Sequence, residues 1–149
     1  MKRIRILLFF SILLFTTGCS NLGEMVPLDV DRTIGQQYAT QLEAMSGQGE
    51  ILDSTKYPEV YAYLDTIKNR ILASGKVKHK DDFPWRLKII HNDTILNAFC
   101  VAGGYIYVYT GLIKFLDNEA ELAGVLGHEI AHADHRHTTM RIMSEYGIS

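Results

Sequence analysis

The segment GHEIAHADHRH, residues 127–137, sets two histidines and a glutamate at a spacing suited to metal-assisted hydrolysis. On an α-helix His128 and His132 lie one turn apart, about 40° round the axis, so both imidazoles can converge on one cation. Glu129 is displaced by about 100° from His128, beside such an ion rather than on it. From there it can take a proton from a water that the ion activates and pass it to a leaving amine. Ligand type and motif together point to zinc and to peptide-bond hydrolysis.

A catalytic zinc takes three protein ligands and keeps one open position, so a third donor has to be found. His135 is about 10 Å along the axis from His128 at 1.5 Å per residue, too far for one straight helix to close a tetrahedral site. It reads as solvent-facing or as an outer partner of the site. His137, about 180° from His128, is expected on the core stripe as a hydrogen-bonded, partly buried histidine. Asp134 points away from both ligands, and His79 and His91 stand in connector and strand-end contexts. Glu145 follows His132 by thirteen residues, on the order of 20 Å along a continuous helix. No Pro or Gly stands between them to break that helix, so Glu145 is set aside.

The elements that must position these residues are legible from periodicity. The motif helix starts at Asn118, with Glu121 three residues on in the pattern of a capping box, and is expected to run unbroken towards Gly147. Leu122, Leu126, Ile130, Ala133 and Met140 form its core stripe, and the two histidines lie on another face. Gly124, Gly127 and Ala131 leave the histidine face open to close approach. Upstream, DRTIGQQYATQLEAM from Asp31 reads as a helix stopped by Gly47 and Gly49. A second helix starts at Pro58, with Val60, Leu64, Ile67 and Ile71 on its buried face and Gly75 beyond its end. Trp85, Leu87 and Ile89 alternate with Arg86 and Lys88 as a half-buried strand. An extended piece over Ile95–Val101, a turn at Gly103 and Gly104, and the strand YIYVYTG follow. The class is α+β: helices with a small, mostly antiparallel sheet and a long site-bearing helix at the C-terminal end.

The whole chain sets limits. Its 149 residues make one domain at most, and 15 Lys and Arg against 17 Asp and Glu give a net charge of −2. With Lys2, Arg3 and Arg5 at the very front, no basic face remains for a nucleic-acid partner. MKRIR, the apolar run ILLFFSILLF and TTGC make residues 1–19 resemble a bacterial lipoprotein signal peptide, with Cys19 as the lipidated residue; an ordinary secretory signal is the alternative. Ser20 after it, by resemblance to sorted Gram-negative lipoproteins, implies an outer-membrane lipoprotein facing the periplasm, and residues 20–30 read as a linker. Cys100, in the run AFCVA, is expected to be a small buried hydrophobe without a disulfide partner.

VLGHEIAHADHRH resembles the active-site helix of the M48 metallopeptidases, and NAFCVAGGYIYVYTGLI resembles that family's segment just upstream, with Ala102 where the family usually has Pro. IGQQYATQLEA is similar to the start of the family's domain. The resemblance extends from about Asp31 to the end and implies a zincin-like fold. It implies that His128 and His132 bind one zinc ion and that Glu129 is the general base. It further implies that Gly103, Gly104, Tyr105, Ile106 and Tyr107 lie by the cleft, where an extended substrate adds as a strand. The family's third ligand is a Glu on a later helix, which is absent here. Residues 31–149 are therefore expected to be a partial catalytic domain of a zinc endopeptidase. Its substrates are expected to be unfolded or misassembled proteins of the cell envelope, reached from a lipid anchor in the membrane. A lipid-anchored, catalytically inactive client-binding or chaperone-like protein is the alternative, and a remnant that does not fold stably is a third reading.

Overall fold

The computed structural model describes residues 26–45 and 51–146. The expected signal peptide 1–19, the expected lipidation site Cys19 and most of the expected linker 20–30 lie outside the described residues.

Side-chain alternation gives the sheet two unlike faces. Strands β1 (Arg86–Ile90), β2 (Ala98–Val101) and β3 (Tyr105–Tyr109) lie in the order β1–β3–β2. The tight turn at Gly103 and Gly104 makes β2 and β3 antiparallel, with Cys100 opposite Ile106. β3 then enters the middle of the sheet and pairs parallel with β1, Leu87 opposite Ile106. The class is α+β as expected, with a mixed sheet in place of a mostly antiparallel one.

One face carries Leu87, Ile89, Cys100, Ile106 and Val108 into the main core. Helix α2 (Pro58–Leu72) meets them with Leu64 and Ile67, while Val60 stays 38% exposed. The Tyr61 hydroxyl ties this helix to the sheet, donating to the Leu52 carbonyl at 2.6 Å and accepting from the Ile89 N–H at 3.2 Å. Burial raises its pKa above the usual tyrosine value.

The other face presents Tyr105, Tyr107 and Ile90 to helix α1 (Leu28–Met45), which supplies Ala39. This helix begins at Leu28, so the expected linker is shorter than 20–30. Its first half docks on the β2–β3 turn through bare backbone. A Cβ on Gly35 would meet the Ala102 carbonyl oxygen at 2.0 Å, and one on Gly103, where φ is +73°, would meet that of Asp31 at 2.8 Å.

After the short helix α3 (Thr110–Phe115), helix α4 (Glu119–Asp134) starts on the expected cap. The Asn118 side chain accepts from the Glu121 N–H at 3.0 Å, and the Glu121 carboxylate accepts from the Asp117 N–H at 3.0 Å. The expected continuous helix does not form. α4 stops at Asp134, Arg136 takes the left-handed conformation at φ 58°, and a new helix α5 runs His137–Glu145. The Arg136 N–H donates to the Ala133 carbonyl at 2.9 Å, one of the bonds of a Schellman turn.

A left-handed non-glycine residue costs about 1–2 kcal/mol, and a buried ion pair offsets it. The Asp31 Oδ2 atom accepts from Arg136 Nε at 3.0 Å and from Nη2 at 2.6 Å, while Oδ1 accepts from the Thr139 hydroxyl at 2.5 Å. Among the described residues no helix is long and apolar enough to cross a membrane.

Candidate metal centre

Leu122, Leu126, Ile130 and Ala133 are buried, so α4 lies down on the sheet along the predicted stripe. That fixes which way the remaining faces point. His128 and His132 come together with ring centroids 4.6 Å apart and planes at 77°. Their Nε2 atoms stand 3.0 Å apart. Two nitrogens on one tetrahedral zinc, each at about 2.0–2.1 Å, are separated by roughly 3.3 Å. Two imidazole lone pairs this close repel unless a proton or a cation lies between them, so the pair can share a hydrogen or hold a metal ion.

Glu129 turns towards the sheet. With His128 and Gly124 it lines one side of an open cleft of about 420 Å³, whose other side includes Leu96, Asn97 and Ala98. A Cβ on Gly124 or Gly127 would meet nothing within 4 Å, so nothing on the helix crowds this opening. Beneath it Cys100 is buried and unpaired, as expected of a small hydrophobe. Burial first, and then the nearby Glu129 charge, push its thiol far above the usual range.

The lower end of α4 is pinned. The Asp134 carboxylate is buried and accepts the backbone N–H groups of His79 at 2.7 Å and Lys78 at 3.0 Å. It points away from the two histidines, as the helical wheel requires. The His79 ring is paired with Asp82 at 2.9 Å and takes no part in the site.

The break after Asp134 changes the reading of the later histidines. His137 does not join the core stripe: it lies exposed beside His132, Nδ1 to Nδ1 at 2.8 Å. His135 stacks on His137 with centroids 5.6 Å apart and planes at 17°. Desolvation by the groups packed around it first, and then His132 and His135, hold the His137 imidazole below its ordinary pKa. Periodicity hid this placement, because the turn uses neither Gly nor Pro. The one available signal was that the apolar stripe fails at position 137. Glu145 remains apart and pairs with Arg141 at 3.1 Å. Among the described residues no three His, Cys, Asp or Glu side chains are grouped to hold one ion.

The residues expected to bind a substrate strand are elsewhere. Gly103 and Gly104 form the turn under α1, and Tyr105, Ile106 and Tyr107 belong to the central strand, paired on both sides. A further strand cannot add to β3. The edge beside the cleft is that of β2, which sequence reasoning passed over because strand order is not local information. The Tyr109 N–H bonds to the Asn97 carbonyl, so alternation turns the backbone groups of Ala98 and Cys100 outward.

Residues 58–149 match the sequence model of peptidase family M48. The chain is 33% identical over 123 residues to the beta-barrel assembly-enhancing protease of Yersinia pestis, covering 83% of this chain and 23% of that protein. It is 35% identical over 100 residues to the mitochondrial metalloendopeptidase OMA1 of Arabidopsis thaliana, covering 63% and 20%. It is 29% identical over 116 residues to the beta-barrel assembly-enhancing protease of Escherichia coli K12, covering 77% and 22%. The chain thus spans about a fifth to a quarter of the length of these relatives.

Proposed function

The chain belongs to peptidase family M48, and from that premise we propose that it forms part of a zinc-dependent endopeptidase of the bacterial cell envelope. The observation that carries the reading is the 3.0 Å approach of His128 and His132 with Glu129 in the adjoining cleft. His128 and His132 would hold the ion through Nε2, with a third ligand from outside the described residues. Bound there, zinc supplies Lewis acidity, making water nucleophilic near neutral pH. The Glu129 carboxylate would take a proton from the attacking water and deliver it to the departing amine nitrogen.

The outer edge of β2 holds the substrate. An extended peptide laid along it bonds to the backbone groups of Ala98 and Cys100 and passes His128 and Glu129. Recognition through main-chain groups suits unfolded segments of many sequences. Relatives named for enhancing β-barrel assembly support misassembled envelope proteins as substrates, cleaved in quality control. Cys19 then provides the lipid anchor at the periplasmic face of the outer membrane.

Cleavage of an unfolded outer-membrane protein by the full-length protein should stop on chelation and return with added zinc. Cleavage that persists after complete zinc removal contradicts the reading. Retained binding of that protein with no cleavage at any zinc level favours the inactive client-binding alternative.

A further inference from the structure

His132 is approached from both sides. Its Nε2 stands 3.0 Å from Nε2 of His128, and its Nδ1 stands 2.8 Å from Nδ1 of His137. A neutral imidazole carries one N–H and one lone pair, so His132 donates through one of these nitrogens and accepts through the other. Once Nε2 gives its lone pair to a cation, the hydrogen must sit on Nδ1, and the atom facing it is Nδ1 of His137. That nitrogen accepts, which places the remaining N–H of His137 on its Nε2. His137 is not a ligand to the same ion, because it faces the opposite side of the His132 ring.

His137 is also held in place. It is the first residue of α5 and follows Arg136, whose left-handed backbone is anchored through its side chain to Asp31. His135 stacks on its ring. A chain of contacts therefore runs from a buried ion pair through the helix break and His137 to His132.

Resting on the metallopeptidase reading, we propose that His137 is a positioning residue: its Nδ1 accepts the Nδ1–H of His132 and fixes that ring's tautomer and plane, presenting Nε2 to the metal. Metal-binding histidines commonly donate their second nitrogen to a fixed acceptor, and removing such an acceptor weakens binding by about 10–100-fold. Here a neutral imidazole takes the place usually held by a carboxylate or carbonyl.

The test uses the full-length protein. In the zinc-loaded wild type, nitrogen NMR should find His132 protonated on Nδ1 and a scalar coupling across to Nδ1 of His137. His137→Phe, which keeps a ring but no acceptor, should lower zinc affinity about 10–100-fold in competition with a chelator. His137→Gln, whose side-chain oxygen can accept, should recover much of that loss. The metal-free melting temperatures of both variants should stay near the wild type. Unchanged affinity in His137→Phe, or no coupling in the loaded wild type, overturns the proposal. His128→Ala separates the two levels. If it abolishes zinc binding while His137→Phe does nothing, only the role of His137 fails. If His128→Ala binds zinc like the wild type, the metallopeptidase reading fails and this proposal with it.

Discussion

Arg136 reaches Asp31 across 105 residues of chain, with Nη2 to Oδ2 at 2.6 Å, and so joins the first turn of α1 to the break between α4 and α5. Both side chains are almost wholly shielded, Arg136 8% and Asp31 0% exposed. Removing one partner strands the other's charge, a loss of about 3–5 kcal/mol. Asp31→Asn should lower unfolding free energy by about that amount in denaturant titration. A loss below ~1 kcal/mol would mean that the pair does not hold the break.

The Tyr107 ring is 1% exposed, and its hydroxyl is the buried side-chain polar atom with no hydrogen-bond partner among the described residues. A buried, unpaired hydroxyl costs about 1–3 kcal/mol. Tyr107→Phe should therefore leave the protein as stable or raise its melting temperature. A clear fall in melting temperature would show that the hydroxyl is satisfied.

Cys100 should be inert. Its thiol is buried and its pKa raised, so little thiolate exists at neutral pH. Maleimide labelling of the native protein should follow the rate of unfolding and accelerate with denaturant. Fast labelling in buffer at neutral pH would place the thiol at the surface.

Asp93 links pH to stability. The Lys114 ammonium first, and then the Thr110 hydroxyl, bond to its carboxylate and lower its pKa. A carboxyl group with a depressed folded pKa stabilises above its unfolded value of about 4, and loses that contribution as pH falls through the folded value. Asp93→Asn should be less stable than the wild type at neutral pH, with the gap closing in acid. A gap independent of pH would rule out the ionised contact as its source.

Much of this fold could be read from local pattern. The alternation at Trp85–Ile89 gave β1, the Asn118 and Glu121 pair gave the start of α4, and the stripe from Leu122 to Ala133 gave its buried face. The approach of His128 and His132 followed from a four-residue spacing. What was hidden depended on distant partners. Arg136 adopts a left-handed backbone because Asp31 holds its side chain, and nothing near position 136 announces that. The same break brings His137 back to His132, where a straight helix would have carried it to the core. Strand order was equally non-local: Tyr105–Tyr107 has strong strand composition whether central or at an edge, and only the pairing with β1 shows that it is central.

The most direct test of the account is Glu129→Gln in the full-length protein, measured for zinc content and cleavage of an unfolded envelope protein in one preparation. Zinc should stay at the wild-type level, held by His128 and His132, with cleavage abolished because no group remains to take the proton from water. Cleavage at the wild-type rate in that variant would contradict the role of Glu129 and the catalytic reading built on it.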